Sequence, residues 1–185
     1  MIYLALGSNL TGDFANSAQL IGAAIDNVRL CGAHVVARAP LYRSAAVGPK
    51  VEGHAQGDYI NTVVEVRCVL PPLGLLRRLH ALEAAFGRER RVKWGPRTLD
   101  IDILSYHAEV QDGLAEIPHP RLAARAFVLY PLRDIAPGWR HPVSGVGIDR
   151  LIKGLSASER RSLSKLLSLS AQHCYRGICL IRLNL

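Results

Sequence analysis

At 185 residues, 49% hydrophobic and 21% charged, the chain is long and apolar enough for one domain with a buried core, which excludes the disordered and fibrous classes. Its formal net charge of +8 is concentrated: residues 77–97 hold seven Lys/Arg against two acids, residues 149–185 hold seven against two, and the remainder is near neutral. Cys31, Cys68, Cys174 and Cys179 show no C-x-x-C pairing, no stretch is apolar enough to span a membrane, and Met1 to Asn9 has no leader pattern, so a zinc knuckle, a disulfide framework and a membrane protein are set aside and a cytoplasmic setting is expected.

Ile2 to Leu6 reads as a short apolar strand. Gly7-Ser8-Asn9 and Thr11-Gly12-Asp13 form the turn and cap before a helix from about Phe14 to Leu30. His34 to Ser44 begins rich in β-formers, and Lys50 to Asp58, with Gly53 and Gly57, reads as a mobile loop. Tyr59 to Val69 alternates as a second long strand. Pro71-Pro72 opens a helix whose Leu75, Leu76, Leu79, Leu82, Ala85 and Phe86 recur at helical spacing until Gly87 ends it.

An Arg-rich loop then leads into Leu99 to Leu104. Leu99, Ile101 and Ile103 suit the buried side of a strand, which puts Asp100 and Asp102 on its opposite face, roughly 6.6 Å apart along the backbone. Alone, such a pair is more often a solvated face or a partner for arginines, because Asp is depleted from strands. Arg88, Arg90, Arg91, Lys93 and Arg97 change the balance: they offset two like charges, and the guanidinium fork also suits polyphosphate. The two carboxylates are candidate ligands for a divalent ion.

The order β-α-β-β-α-β predicts a ferredoxin-like α+β sandwich, an antiparallel sheet with helices on one face and the other free for ligand, plus extra C-terminal strand and helix elements. Ile117-Pro118-His119-Pro120-Arg121 is a proline-braced turn, Arg125 to Asp134 a helix, and Ile148 to Leu155 a last short helix. Residues 1–155 are read as a single domain. Residues 156–185 form a basic Ser/Leu-rich tail whose removal is expected to leave turnover intact.

Six pieces in order resemble the hydroxymethyldihydropterin pyrophosphokinases of folate biosynthesis: Leu6-Gly7-Ser8-Asn9-Leu10; Leu41-Tyr42-Arg43-Ser44 with Gly48-Pro49; Tyr59-Ile60-Asn61; Glu83 with Gly87-Arg88; Trp94 to Asp102; and Pro118 to Arg121 with Arg125 to Leu129. The resemblance covers roughly residues 1–155. It implies transfer of the terminal diphosphate of ATP to the hydroxymethyl group of a reduced pterin, leaving AMP, with two Mg²⁺ held by Asp100 and Asp102 and with Arg88 and Arg97 acting on the phosphates. By the same resemblance Tyr59 and Phe127 stack on the pterin, Asn61 reads its edge, and Ser44, Val47 and Trp94 line its pocket. Glu83, Arg90, Trp94, Arg97, Ile103, His119 and Arg125 contact ATP. Core packing for Tyr59 and Phe127, a structural turn for His119 and a lid anchor for Trp94 stand as alternatives from the residues alone. Ala45, His80, Lys93, Glu116 and Pro120 depart from the family's pattern. The expected partners are small molecules, with neither nucleic acid nor membrane, and the expected state is a monomer. A ferredoxin-like RNA-binding module and a metal-dependent phosphodiesterase are the competing readings.

Overall fold

The computed structural model describes residues 1–46, 57–88 and 96–166. Its elements run β1 (Ile2–Ser8), α1 (Ser17–Asn27), a 3-10 turn (Val28–Cys31), β2 (Ala33–Arg38), β3 (Tyr42–Ser44), β4 (Tyr59–Cys68), α2 (Pro72–Ala85), β5 (Asp100–Tyr106), a second 3-10 turn (Leu122–Ala124), α3 (Ala126–Ile135), α4 (Ile148–Gly154), α5 (Ala157–Arg161) and β6 (Leu163–Lys165). The sheet is antiparallel in the order β5-β1-β4-β3-β6, and β2 also pairs with β4.

Strand β1 is buried along nearly its whole length because it lies between two partners and between two packed faces. Leu4, Leu6, Val64, Val66, Ile101 and Ile103 meet α1 and α2 on one side, where Leu20, Leu75, Leu79 and Leu82 are fully buried. Truncating any of these leucines to alanine opens a cavity worth about 2–5 kcal/mol. Tyr3, Val63 and Leu104 meet α3 and α4 on the other. The C-terminal elements thus cover part of the second face, and the ligand-accessible portion is confined to the end where Gly7 lies between Asn61 and Asp100.

Three local expectations shift. Helix α1 starts at Ser17, later than expected, because the Asn16 side chain accepts the Gln19 N–H at 2.9 Å and caps it there. Phe14, ahead of the cap, stacks on Phe86 at 5.7 Å between ring centroids. The stretch from His34 divides into β2 and β3 at Ala39-Pro40, where proline cannot donate to the ladder. A bulge at Leu104 lets Leu104 and Ser105 both follow Asp100 and Asp102 onto one face, so Tyr3 pairs with Ser105 while Leu4 pairs with Ile103.

Leu163–Lys165, beyond the expected domain end, join the sheet. The Ser156 side chain caps α5 in a reciprocal box with Glu159, and β6 then pairs with β3 through Tyr42, Arg43 and Ser44. Lys165 and Tyr42 both bond Asp134 Oδ2, at 2.9 and 2.7 Å.

Candidate active site

The end of α2 sets the first functional side chain. Gly87 adopts φ +76°, its N–H bonds the Ala84 carbonyl and the Arg88 N–H bonds the Glu83 carbonyl, both at 3.0 Å. This Schellman closure turns the chain back so that Arg88 lies beside Glu83. Glu83 is 1% exposed; its Oε1 accepts the Ile101 N–H at 2.7 Å and pairs with Arg88 Nη1. The same Nη1 reaches Asp100 Oδ1 at 2.5 Å.

Arg97 reaches Asp100 from the other side, Nη1 to Oδ2 at 2.8 Å. Its backbone is fixed by the end of β1: Asn9 Oδ1 accepts the Arg97 N–H at 2.8 Å, and the Arg97 carbonyl accepts the Asn9 and Leu10 N–H groups at 3.2 Å. Burial works against the Arg97 charge, but Asp100 and Tyr59 outweigh it and hold the guanidinium above its ordinary value. Burial raises the Tyr59 hydroxyl, with neighbouring Arg97 opposing the rise.

Asp102 is held more loosely, with His119 Nε2 at 3.5 Å and Arg125 Nη1 at 3.6 Å, both longer than a good charge-assisted hydrogen bond. His119 Nδ1 accepts the Arg121 N–H at 3.0 Å, so in the neutral ring the proton sits on Nε2, the atom facing Asp102. Burial lowers the His119 pKa; Asp102 opposes this, while Arg125 and Arg121 add to it. Arg125 is lowered by burial and then by Arg121, and its guanidinium lies 5.4 Å from the centre of the Phe127 ring.

These groups converge on a cavity of about 300 Å³. Ser44, Tyr59, Asn61, Arg88, Arg97, Asp100, Asp102, Arg125 and Phe127 all line it. Asn61 donates from Nδ2 to Ser44 Oγ at 3.0 Å, which turns its Oδ1 toward Gly7. A Cβ at Gly7 would stand 3.0 Å from that oxygen, so a larger residue there would press on the Asn61 amide. A second cavity of about 280 Å³ lies across Asp102, lined by Asp102, Ile103 and His119 among others. His80, Glu116 and Pro120, three of the departures from the family pattern, also line it.

Not every expected residue sits at a cavity. Glu83 lines neither; it is buried beneath β5, where its Oε1 holds Arg88 and the Ile101 amide. Val47, Arg90 and Trp94 lie outside the described residues. Conversely, Arg121 lines the first cavity although the sequence reading gave it no role; its place directly after the His119 turn is the signal that was available.

An antiparallel α+β sandwich whose sheet ends in paired carboxylates, flanked by guanidinium groups and opening on two adjoining cavities, has the charge arrangement of an enzyme that acts on a phosphorylated ligand. Residues 3–137 match the family described as 7,8-dihydro-6-hydroxymethylpterin-pyrophosphokinase (HPPK). The 2-amino-4-hydroxy-6-hydroxymethyldihydropteridine pyrophosphokinase of Pseudomonas aeruginosa is 44% identical over 143 residues, covering 76% of this chain and 83% of that protein. The protein of the same name from Synechocystis sp. is 42% identical over 151 residues, covering 81% and 73%. The chain belongs to the HPPK family.

The fold is shared with a solved Plasmodium falciparum HPPK-DHPS, at TM-score 0.61 and 14% identity over 91% of this chain. This chain spans 48% of that longer one. The ferredoxin-like architecture expected from the sequence is therefore the one observed. Neither an RNA-binding module nor a phosphodiesterase finds support among these relatives.

Proposed function

We infer that this chain transfers the diphosphate of ATP to the hydroxymethyl group of 6-hydroxymethyl-7,8-dihydropterin in folate biosynthesis, giving AMP and the pterin diphosphate. Family membership supports the reaction, and the convergence of Asp100, Asp102, Arg88 and Arg97 on one cavity carries the assignment of its site. The hydroxymethyl oxygen forms a bond to the β-phosphorus, the bond from that phosphorus to the α,β-bridging oxygen breaks, AMP leaves with the electron pair, and the hydroxyl proton passes to solvent.

The pterin occupies the first cavity, its ring against Tyr59 and Phe127 and its edge read by Asn61, whose amide is oriented by Ser44. The nucleotide occupies the second, against Ile103 and His119, with its phosphates crossing Asp102. Arg88 and Arg97 are aimed by Glu83 and Asn9 and stand where negative charge accumulates on the transferred group, so little reorganisation is needed. Arg125 bridges the Asp102 side and Phe127.

The donor set fits two Mg²⁺. Asp100 and Asp102 are hard oxygen donors on one face, and Mg²⁺ is commonly held by one or two carboxylates, filling its octahedron with water and phosphate oxygens. Bound there, the ions supply charge neutralisation to the phosphates. We further propose a monomer, because one chain lines both cavities, acting in the cytoplasm, with the catalytic groups within residues 1–155. Among the described residues no helix is long and apolar enough to cross a membrane.

The test is AMP release from ATP and Mg²⁺ with and without the pterin, in the native chain and in Asp102→Ala. Pterin-dependent AMP formation that falls by about 10²-fold or more in the variant is expected. AMP formation independent of pterin, or none, overturns the reading.

A further inference from the structure

The first cavity has two walls that belong to different layers of the fold. Strands β3 and β4 supply Ser44, Tyr59 and Asn61, whereas helix α3 supplies Phe127 and Val128. The gap between these walls decides how closely a flat ring can lie against Phe127 while its edge reaches Asn61. Under the rest of α3 the contact with the sheet is apolar, Val63 and Leu104 against Leu129 and Leu132, and apolar contact is non-directional.

Tyr42 supplies a direction. It is 5% exposed, and its hydroxyl donates to Asp134 Oδ2 at 2.7 Å. Tyr42 stands directly across from Asn61 in the β3–β4 ladder; Ser44, two residues on, shares its face and accepts from Asn61 Nδ2 at 3.0 Å. Asp134 follows Phe127 by two turns on the same side of α3, about 10 Å along the axis. One bond thus links the strand that orients the Asn61 amide to the helix that carries Phe127. Burial, and then the bond to Asp134, raise the Tyr42 pKa, so the hydroxyl stays a donor. Lys165 also meets Asp134 Oδ2, at 2.9 Å, but its side chain is 49% exposed and screened by solvent.

Resting on the pterin placement proposed above, we propose that Tyr42 and Asp134 are positioning residues for the pterin: their hydrogen bond fixes the gap between α3 and the end of the sheet, and with it the fit of the ring between Phe127 and Asn61. Neither residue lines the cavity. The fit is the same in the ground state and the transition state, so its loss falls on pterin affinity and not on kcat.

Steady-state kinetics of Tyr42→Phe, Asp134→Ala and Asp134→Asn test this, with calorimetric binding of 6-hydroxymethyl-7,8-dihydropterin in the presence of Mg²⁺ and a non-hydrolysable ATP analogue. A hydrogen bond to a charged group is worth about tenfold or more to the state that holds it, and the part passed to the ligand is expected as a rise of about three- to tenfold in KM and Kd for the pterin in Tyr42→Phe and Asp134→Ala. In both, kcat and KM for ATP are expected within about twofold of native. Asp134→Asn keeps an oxygen that accepts from the hydroxyl and is expected to retain pterin affinity within about twofold. Native pterin affinity in Tyr42→Phe overturns the proposal even if the unfolding midpoint falls, because the bond then only stabilises the fold. An equal rise in KM for ATP overturns it too, as does a rise in Asp134→Asn equal to that in Asp134→Ala, which assigns the effect to charge. If Asp134→Ala does not fold, Tyr42→Phe, which removes one hydroxyl, decides by the same readings. A native chain that binds the pterin without releasing AMP fails the reaction reading alone, and the binding constants still judge the pair; a native chain that binds no pterin overturns both.

Discussion

Asp100 and Asp102 stand two residues apart on one face of the same strand and are held in opposite ways. Asp100 accepts from Arg88 at 2.5 Å and from Arg97 at 2.8 Å, and Arg88 is itself locked to a glutamate that is 1% exposed. Asp102 has contacts at 3.5 and 3.6 Å and a side chain 36% exposed. The first carboxylate is tied into the framework that aims two arginines. The second has the looser contacts, and it is the one that both cavities share.

The sharpest way to break this contrast is to remove the buried anchor. Glu83→Gln leaves Arg88 beside a neutral amide and weakens the cap on the Ile101 N–H, and breaking a buried pair from one side costs about 3–5 kcal/mol. Denaturant unfolding at neutral pH is expected to show a loss of that order with an unchanged m-value. A loss below about 1 kcal/mol would mean that Arg88 finds equal compensation elsewhere and that Asp100 is not part of a fixed network.

The second comparison is direct. Asp100→Asn removes charge from between two guanidinium groups and is expected to cost about 1.5–3 kcal/mol of stability, whereas Asp102→Asn is expected to stay within about 0.5 kcal/mol. Both lose pterin-dependent turnover, so stability and activity separate the roles. Equal destabilisation by the two variants would erase the distinction drawn from the distances.

Much of this site was legible in sequence because its parts are local. Strand alternation puts Asp100 and Asp102 on one face, and Gly87 at a helix end predicts the turn that delivers Arg88. What was not legible depends on partners far along the chain. Glu83 enters the sequence reading only through the resemblance, as an ATP contact, and only the approach of β5 to α2 reveals its buried hold on the Ile101 amide. Arg121 and His119 lie in one short turn, yet which cavity each enters depends on how β5 runs beneath them. The second layer, α3 and α4 on the far face, escaped because a strand buried on one side or both reads alike in so short a segment. The tail lies outside the resemblance, and a three-residue edge strand gives no periodicity to detect.

That edge strand supplies the smallest and most discriminating comparison. Asp134 is as well contacted as Asp100, by Tyr42 at 2.7 Å and Lys165 at 2.9 Å, but Lys165 is 49% exposed. Solvent screening leaves such a pair worth roughly 0.2–1 kcal/mol, so Lys165→Ala is expected to shift stability by no more than that and to leave turnover near native. Removal of β6 as a whole differs, since it strips the ladder partners of Tyr42, Arg43 and Ser44, and Ser44 orients Asn61. A chain ending at Leu155 is therefore expected to raise KM for the pterin more than Lys165→Ala does, with kcat retained, as the dispensable-tail reading requires. If Lys165→Ala alone cost as much as Asp100→Asn, contact distance and not burial would govern both carboxylates, and the tight and loose halves of the site would have to be ranked on geometry alone.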